Sequence, residues 1–205
     1  MQDPFSTINK FQLSVFQEIG NIGAGHAATA LSILMQKEVE MSVPRVHVAP
    51  LQEVDEVVGN SEQEVVGVFF RVDGDITGSM FMMLHVESAK MLLSALMPGS
   101  EVNLYNEYEL SALMEIGNIL CGSYISAFSD LTQSKMYQSV PAISIDMAGA
   151  LLNVAFMHVG MSCDTVLVVE TEFRQGNENV ESQFFFLPDP ASLQTIFKRL
   201  GVEHS

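Results

Sequence analysis

The letters EIGN occur twice in this chain, at residues 18–21 within SVFQEIGNIGAGHAATALS (14–32) and at residues 115–118 within SALMEIGNILCGSYISAFS (111–129). The same separation of 97 residues that joins Ser14 to Ser111 also joins Gly25 to Gly122 and Pro44 to Pro141. A weaker likeness joins residues 78–99 to 181–201. Self-similarity over this length predicts two copies of one unit, about 1–103 and about 104–205, fused in a single domain over 1–205.

Each unit begins with a pattern typical of a long helix and continues with three extended stretches and a shorter helix. The long helices are expected over roughly 8–35 and 107–131, and the shorter ones near 87–97 and 190–200. The predicted strands are MSVPRVHVA, EVVGVFFRV and TGSMFMMLH in the first unit and VPAISIDM, DTVLVVETE and VESQFFFL in the second, with LLNVAFMHV as an extra strand or a continuation of one. This order predicts an α/β fold of α+β-like character, in which two pseudo-two-fold related units share a sheet of about six strands.

Local signals mark where two of these helices begin. Asn106 and Glu109 have the spacing of a capping box for the second long helix. Asp189 is expected to cap the last helix, with Pro190 at its first helical position.

Composition favours a folded, acidic protein that lives in a reducing compartment. Hydrophobic residues make up 48% of the chain and charged residues 17%, and 25 acidic side chains against 9 Lys and Arg give a formal charge of −16. This charge opposes binding to nucleic acid. Cys121 and Cys163 fit neither a redox pair nor a zinc site, and the longest apolar runs are much too short to cross a bilayer. We therefore expect a soluble, cytoplasmic monomer that does not insert into membranes.

The repeated letters form a polar stripe on each predicted long helix, because positions i, i+4 and i+7 share one face. The first stripe is Ser14, Glu18, Asn21, Gly25 and Ser32, and the second stripe is Ser111, Glu115, Asn118, Gly122 and Ser129. An ordinary solvent face would favour Glu, Lys and Gln, whereas Asn, Ser and Gly cost some tenths to about 1 kcal/mol each relative to Ala in a helix. Because these unfavourable residues occur at matched positions in both halves, they indicate a surface that another molecule approaches closely.

A carboxylate and a carboxamide on one helix face form no nucleophile by themselves, but they can complete a site that a partner brings. An amide offers both donor and acceptor atoms, so it can hold a water in line for attack on phosphorus. A Glu one turn earlier can form an ion pair with a basic residue of the partner.

The pattern S-x-x-x-E-x-x-N-x(22)-P, present in full in both halves, resembles the signature of the CheC/CheX/FliY family of chemotaxis phosphatases. Two complete copies without an added flagellar-switch domain are similar to the CheC branch of that family. The resemblance implies hydrolysis of the aspartyl phosphate on the response regulator CheY. In it Asn21 and Asn118 orient the water, Glu18 and Glu115 bind the conserved lysine of the regulator, and the motif is completed by Ser14, Ser111, Pro44 and Pro141.

The resemblance also implies partners and the source of the metal ion. Mg²⁺ and the phosphoryl group come from the regulator, so no cofactor or metal site is expected in this chain. A second partner is the receptor deamidase CheD, and Asp146 in the segment SIDMAGA is a candidate contact for it.

Two other function classes stay open from the sequence. The chain can be an adaptor that binds CheD, the regulator or the motor apparatus without catalysis. Alternatively, GNIGAG at 20–25 suggests a small-molecule enzyme with a dinucleotide loop, although such a loop follows a strand and this one lies in a helical pattern.

Overall fold

The computed structural model describes residues 8–50, 60–99, 102–157, 165–175 and 178–202. The helices are α1 (Lys10–Met35), α2 (Val86–Leu96), α3 (Glu107–Thr132), α4 (Ala148–Met157) and α5 (Pro190–Arg199). The strands are β1 (Glu40–Pro50), β2 (Glu64–Gly74), β3 (Gly78–His85), β4 (Met136–Gln138), β5 (Ala142–Met147), β6 (Thr165–Gln175) and β7 (Glu178–Pro188). The mixed fold and the four helices predicted from the sequence are confirmed.

All seven strands form one antiparallel sheet in the order β1-β6-β7-β3-β2-β4, with β5 also paired to β2. Strands of one half therefore pair with strands of the other: Val46 of β1 lies opposite Val169 of β6, and Ile143 of β5 lies opposite Val68 of β2. At the centre, β3 and β7 pair with Phe81 opposite Phe185. The two halves of the sequence are interleaved within a single sheet.

The sheet has one strand more than the six expected because the stretch after α3 is broken. β4 and β5 are separated by residues 139–141, whereas β1 runs through the matching stretch with a register shift between Ser42 and Arg45. Both solutions accommodate a proline, which cannot donate to a strand ladder, at the edge of the sheet.

Packing divides the core between the two faces of the sheet. One face carries the two long helices and a large cluster that includes Phe16, Ile19, Ile116, Phe70 and Phe184, all nearly fully buried. The other face carries α4, whose Ala148, Leu152 and Ala155 pack on Phe81 and Phe185 among others. The sheet is therefore buried on both faces at its centre.

The segment LLNVAFMHV was expected to be extended, and this was wrong for the residues that the structure describes. Residues 151–157 belong to α4, and residues 158–159 lie outside the described part of the chain. Ala148, Leu152 and Ala155 follow the spacing i, i+4, i+7, which places them on one helical face against the sheet. A short apolar run fits a buried strand and a buried helix equally well, so periodicity alone did not separate them.

The capping box predicted at Asn106 and Glu109 is not formed. The Asn106 side chain accepts from the backbone N–H of Tyr108 at 3.0 Å, while its own N–H donates to the carbonyl of Asn103 at 2.9 Å. Glu109 is buried instead of reaching back to the cap. A reciprocal capping box exists on the other long helix, between Asn9 and Gln12, with both hydrogen bonds at 2.9 Å.

Asp189 is the N-cap residue of the last helix, as predicted, but its side chain makes no capping hydrogen bond. The carboxylate of Asp189 accepts from Thr77 Oγ1 at 2.5 Å and from Arg71 Nη2 at 2.9 Å, so it ties the last helix to β2 and the turn before β3. Pro190 does occupy the first turn of α5, as predicted.

Candidate functional site

The two stripes lie on the outward surface of the long helices. Ser14, Glu18 and Asn21 are exposed on α1, while Ser111 and Glu115 are exposed and Asn118 is half-buried on α3. The opposite arcs of both helices are buried in the core, as the helical spacing predicted. Both acid–amide pairs are therefore accessible to a partner.

In the first stripe, β1 fixes the orientation of the amide. The side-chain oxygen of Asn21 accepts from the backbone N–H of Val43 at 3.2 Å. Gln17 strengthens the same junction, because its Nε2 donates to the carbonyls of Val43 and Pro44, each at 3.3 Å. The Asn21 nitrogen makes no hydrogen bond within the described part of the chain, so its N–H groups are available to a ligand.

In the second stripe, the orienting group is a side chain. Gln138, the last residue of β4, donates through Nε2 to the side-chain oxygen of Asn118 and, at 3.2 Å, to the backbone carbonyl of the same residue. The Gln138 amide also lies over Gly122, where an added Cβ would stand 3.4 Å from its Oε1. The corresponding position in the first stripe, Gly25, has nothing within 4 Å.

The two carboxylates are available for an external cation. Neither Glu18 nor Glu115 forms a hydrogen bond or ion pair with any residue in the described ranges. Both are exposed, and the chain as a whole carries a formal charge of −16. The two carboxylates therefore attract a basic group, and their negative charge stays unneutralised until a partner supplies that group.

The remaining motif residues take structural positions. The hydroxyls of Ser14 and Ser111 donate to backbone carbonyls one turn earlier, to Phe11 and Glu107, each at 2.7 Å. Pro44 is exposed and Pro141 is half-buried, each in the edge segment beside its stripe. These groups shape the two surfaces without offering further reactive atoms.

The strand order separates the two stripes. The first stripe lies beside β1 at one edge of the sheet, and the second lies beside β4 at the opposite edge. Five strand spacings of about 4.8 Å each put those edges roughly 24 Å apart. Each stripe therefore has its own edge strand beside it.

Neither a metal-binding cluster nor a reactive thiol occurs in the described part of the structure. No three His, Cys, Asp or Glu side chains among the described residues come together to hold a metal ion. Burial raises the pKa of the Cys121 thiol, whose Sγ contacts Met80 Sδ at 3.5 Å, so it is a poor nucleophile. Cys163 lies outside the described residues.

The glycine segment 20–25 is helical and does not follow a strand, which removes the geometric basis for a dinucleotide loop. Gly20 and Gly23 instead allow close packing against Val43 and Tyr124. No helix in the described ranges combines the length and the apolar character needed to span a bilayer.

Asp146 lies away from both stripes. It is exposed near the end of β5, and its Oδ1 accepts from the backbone N–H of Met147 at 2.8 Å. It pairs with Val65 near the start of β2, whereas Gln138 pairs with Val72 near the end of that strand.

Sequence reasoning missed two residues of the site, Gln17 and Gln138. Both depart from the internal repeat: Met114 stands at the position matching Gln17, and Met41 at the position matching Gln138. Both could have been found by looking near the motif for polar residues whose counterparts in the other half are apolar.

Fold and site together define a class of protein that presents a duplicated acid–amide surface on two helices packed across one antiparallel sheet. Comparison with known proteins identifies the family. The model described as the CheC-like family matches residues 11–48 and 109–145, which contain both acid–amide pairs. The CheY-P phosphatase CheC of Bacillus subtilis (strain 168) is 35% identical over 203 residues, covering 96% of this chain and 97% of that protein. The chain belongs to the CheC-like family.

Two solved structures share the fold. FliY from Thermotoga maritima superposes with a TM-score of 0.78 at 24% identity, covering 97% of this chain and 100% of that chain. A chain of the CheX-CheY-BeF3-Mg²⁺ complex from Borrelia burgdorferi superposes with a TM-score of 0.50 at 15% identity, covering 80% of this chain and 95% of that chain.

Proposed function

We propose that this protein is a phosphatase that hydrolyses the aspartyl phosphate of the chemotaxis response regulator CheY. The observation that carries the proposal is the pair of accessible acid–amide surfaces in a chain 35% identical to a CheY-P phosphatase over 96% of its length. The structural relative in complex with CheY, BeF3 and Mg²⁺ supports the same partner.

The reaction replaces the acyl phosphate bond of the regulator with a bond to water oxygen. Water attacks phosphorus opposite the aspartyl oxygen, the bond between phosphorus and that oxygen breaks, and the bonding electrons leave with the regenerated carboxylate. The proton of the water leaves with inorganic phosphate or solvent. Because the regulator supplies the phosphoryl group and Mg²⁺, the phosphatase contributes only the position of the water.

The amides of Asn21 and Asn118 hold the attacking water. Each amide oxygen accepts one hydrogen bond from its own chain, which fixes the plane of the group and leaves the second lone pair and the N–H groups for ligands. A fixed amide can hold a water in line without reorganising during the reaction.

Glu18 and Glu115 anchor the regulator. Each lies one helical turn before its amide and is exposed without an ionic partner in the described residues. An ion pair with a lysine of the regulator would set the register that brings the phosphoryl group to the amide.

Turnover of phosphorylated CheY tests the proposal. We expect Asn21→Ala and Asn118→Ala each to retain hydrolysis through the other stripe, and the double variant to lose about 100-fold, as removal of a positioning group predicts. Asn153→Ala is the matched control, because Asn153 is an exposed helical asparagine on α4, across the sheet from both stripes.

Two outcomes would count against the proposal. Unchanged hydrolysis by a folded double variant would remove the role of the amides. Loss of only one equivalent of phosphorylated regulator, without turnover of an excess, would favour the adaptor that sequesters its partner.

We also propose that the surface around Asp146 binds the receptor deamidase CheD. Asp146 is exposed next to Met147 along the chain, which is 51% exposed, and α4, which follows directly, carries two further exposed apolar side chains, Val154 and Met157, at 62% and 63%. Asp146→Lys should weaken CheD binding in a titration, whereas Asp130→Lys, the same charge change at an exposed site on α3, should not. Equal affinities for the two variants would place CheD elsewhere.

A further inference from the structure

Each half has one glutamine and one methionine beside its stripe, but the two residues stand at opposite positions in the two halves. In the first half, Gln17 is on the helix and Met41 is on the edge strand; in the second half, Met114 is on the helix and Gln138 is on the edge strand. Each half therefore has one glutamine that hydrogen-bonds across the junction between helix and edge strand. Only the direction differs: Gln17 donates from helix to strand, and Gln138 donates from strand to helix.

This difference in position accompanies a change in the backbone beside each amide. Val43, whose N–H donates to Asn21, is 2% exposed within β1. Val140 holds the matching place in the second half but is 88% exposed, in the break between β4 and β5. The second half has thus lost the strand geometry through which a backbone N–H orients the first amide.

We propose that Gln138 is the positioning residue for Asn118 and performs with a side chain what the N–H of Val43 performs for Asn21. This inference rests on the proposed phosphatase function of the same stripe. In both halves the donor contacts the same acceptor, the amide oxygen of the asparagine, and comes from the segment that follows the long helix.

The geometry around Gln138 suits this role. Its Nε2 spans the side-chain and backbone oxygens of one residue, which defines the asparagine rotamer relative to the helix. The Gln138 amide lies against Gly122 of α3, with its Oε1 3.4 Å from the position of an added Cβ. The terminal torsion of a free asparagine is broad and roughly two-fold, so without this donor the Asn118 amide would sample both orientations.

The alternative is that Gln138 obstructs the second stripe, since Asn118 is half-buried and Asn21 is exposed. The two interpretations predict opposite changes in rate. If Gln138 positions the amide, its removal slows the second stripe; if Gln138 obstructs the amide, its removal speeds it.

The test isolates the second stripe by working in an Asn21→Ala background with phosphorylated CheY as substrate. Gln138→Glu keeps the shape of the side chain but converts the donor into an acceptor, and Gln138→Met copies the first half. We expect each to lower kcat about tenfold while KM changes less than twofold, because docking through Glu115 is intact. Gln63→Glu, the same change at an exposed site beyond the other end of β2, is the control.

Melting temperatures confirm that the variants are folded, and the single variants separate the two levels of the proposal. Hydrolysis that persists in Asn21→Ala and disappears in Asn21→Ala/Asn118→Ala supports the phosphatase function itself. Given that result, unchanged or faster turnover with Gln138→Glu and Gln138→Met would overturn the role of Gln138. Absence of turnover in Asn21→Ala alone would overturn it as well, since the second stripe would then be inactive despite its oriented amide.

Discussion

Gly23 of α1 lies directly against Tyr124 of α3, with no room between them for a methyl group. A Cβ on Gly23 would stand 2.6 Å from Cδ1 of Tyr124 and 3.1 Å from its Cα. The ring cannot easily turn aside, because its hydroxyl is buried in a 3.1 Å hydrogen bond with Thr171 Oγ1. This contact fixes the distance between the two helices that carry the stripes.

Replacing Gly23 with alanine therefore has two opposing effects on stability: a gain in helix propensity and a cost from overpacking. Alanine favours the helix by about 1 kcal/mol over glycine, but overpacking costs about 1–3 kcal/mol, and here the backbone of α3 blocks relaxation. We expect Gly23→Ala to lower the free energy of unfolding by about 1–2 kcal/mol, measured by urea denaturation. Gly25→Ala is the control, since nothing lies within 4 Å of its added Cβ, and it should raise stability by up to about 1 kcal/mol. Equal effects at the two positions would contradict the contact.

Much of the fold is predictable because its helices repeat a clear pattern, but the strand order is not. The long helices follow from apolar residues such as Phe16, Ile19 and Ile116 at helical spacing. The pairing of β1 with β6, and of β5 with β2, joins residues more than 70 positions apart, as Val46 and Val169 illustrate. No local spacing encodes such a choice, which depends on how two amphipathic halves bury each other.

The site was predictable to the extent that it is repeated. Glu18 and Asn21 were found because Glu115 and Asn118 copy them. Gln138 was not, because its importance comes from a difference between the halves and from a backbone break at residues 139–141 that only the structure displays.

The proposed anchoring role of the two glutamates predicts an effect on KM. In an Asn118→Ala background, Glu18→Gln should raise KM for phosphorylated CheY about tenfold with little change in kcat, because an interfacial ion pair of about 1.4 kcal/mol is lost. Glu115→Gln should act likewise in an Asn21→Ala background. The unsubstituted carboxylates should also make KM rise with ionic strength.

Glu107→Gln serves as the control for charge alone, since Glu107 is exposed at the start of α3. A fall in kcat at constant KM for Glu18→Gln would instead place the carboxylate in the chemical step.

The attachment of α4 to the second face of the sheet depends on a few small and branched side chains. Leu152 is 3% exposed within the cluster that includes Phe81 and Phe185, so Leu152→Ala should cost about 2–4 kcal/mol of unfolding free energy. Val154, on the exposed side of the same helix, should tolerate alanine within about 0.5 kcal/mol. Urea denaturation of both variants measures the difference, and similar losses would mean that α4 is not held through Leu152.

The imidazole of His47 on β1 predicts a pH-dependent component of stability. Burial is the main cause that lowers the pKa of His47 below 6.5, and the nearby Arg45 lowers it further, while Glu170, whose Oε1 lies 3.7 Å from Nδ1, opposes the shift. Below pH 6.5 the unfolded chain binds this proton before the folded chain does, so the free energy of unfolding falls as the pH decreases through that window. His47→Gln should remove this part of the slope between pH 7.5 and 5 in urea denaturation, whereas His26→Gln, at an exposed position on α1, should leave most of it. An identical slope with and without His47 would show that its protonation is not linked to folding.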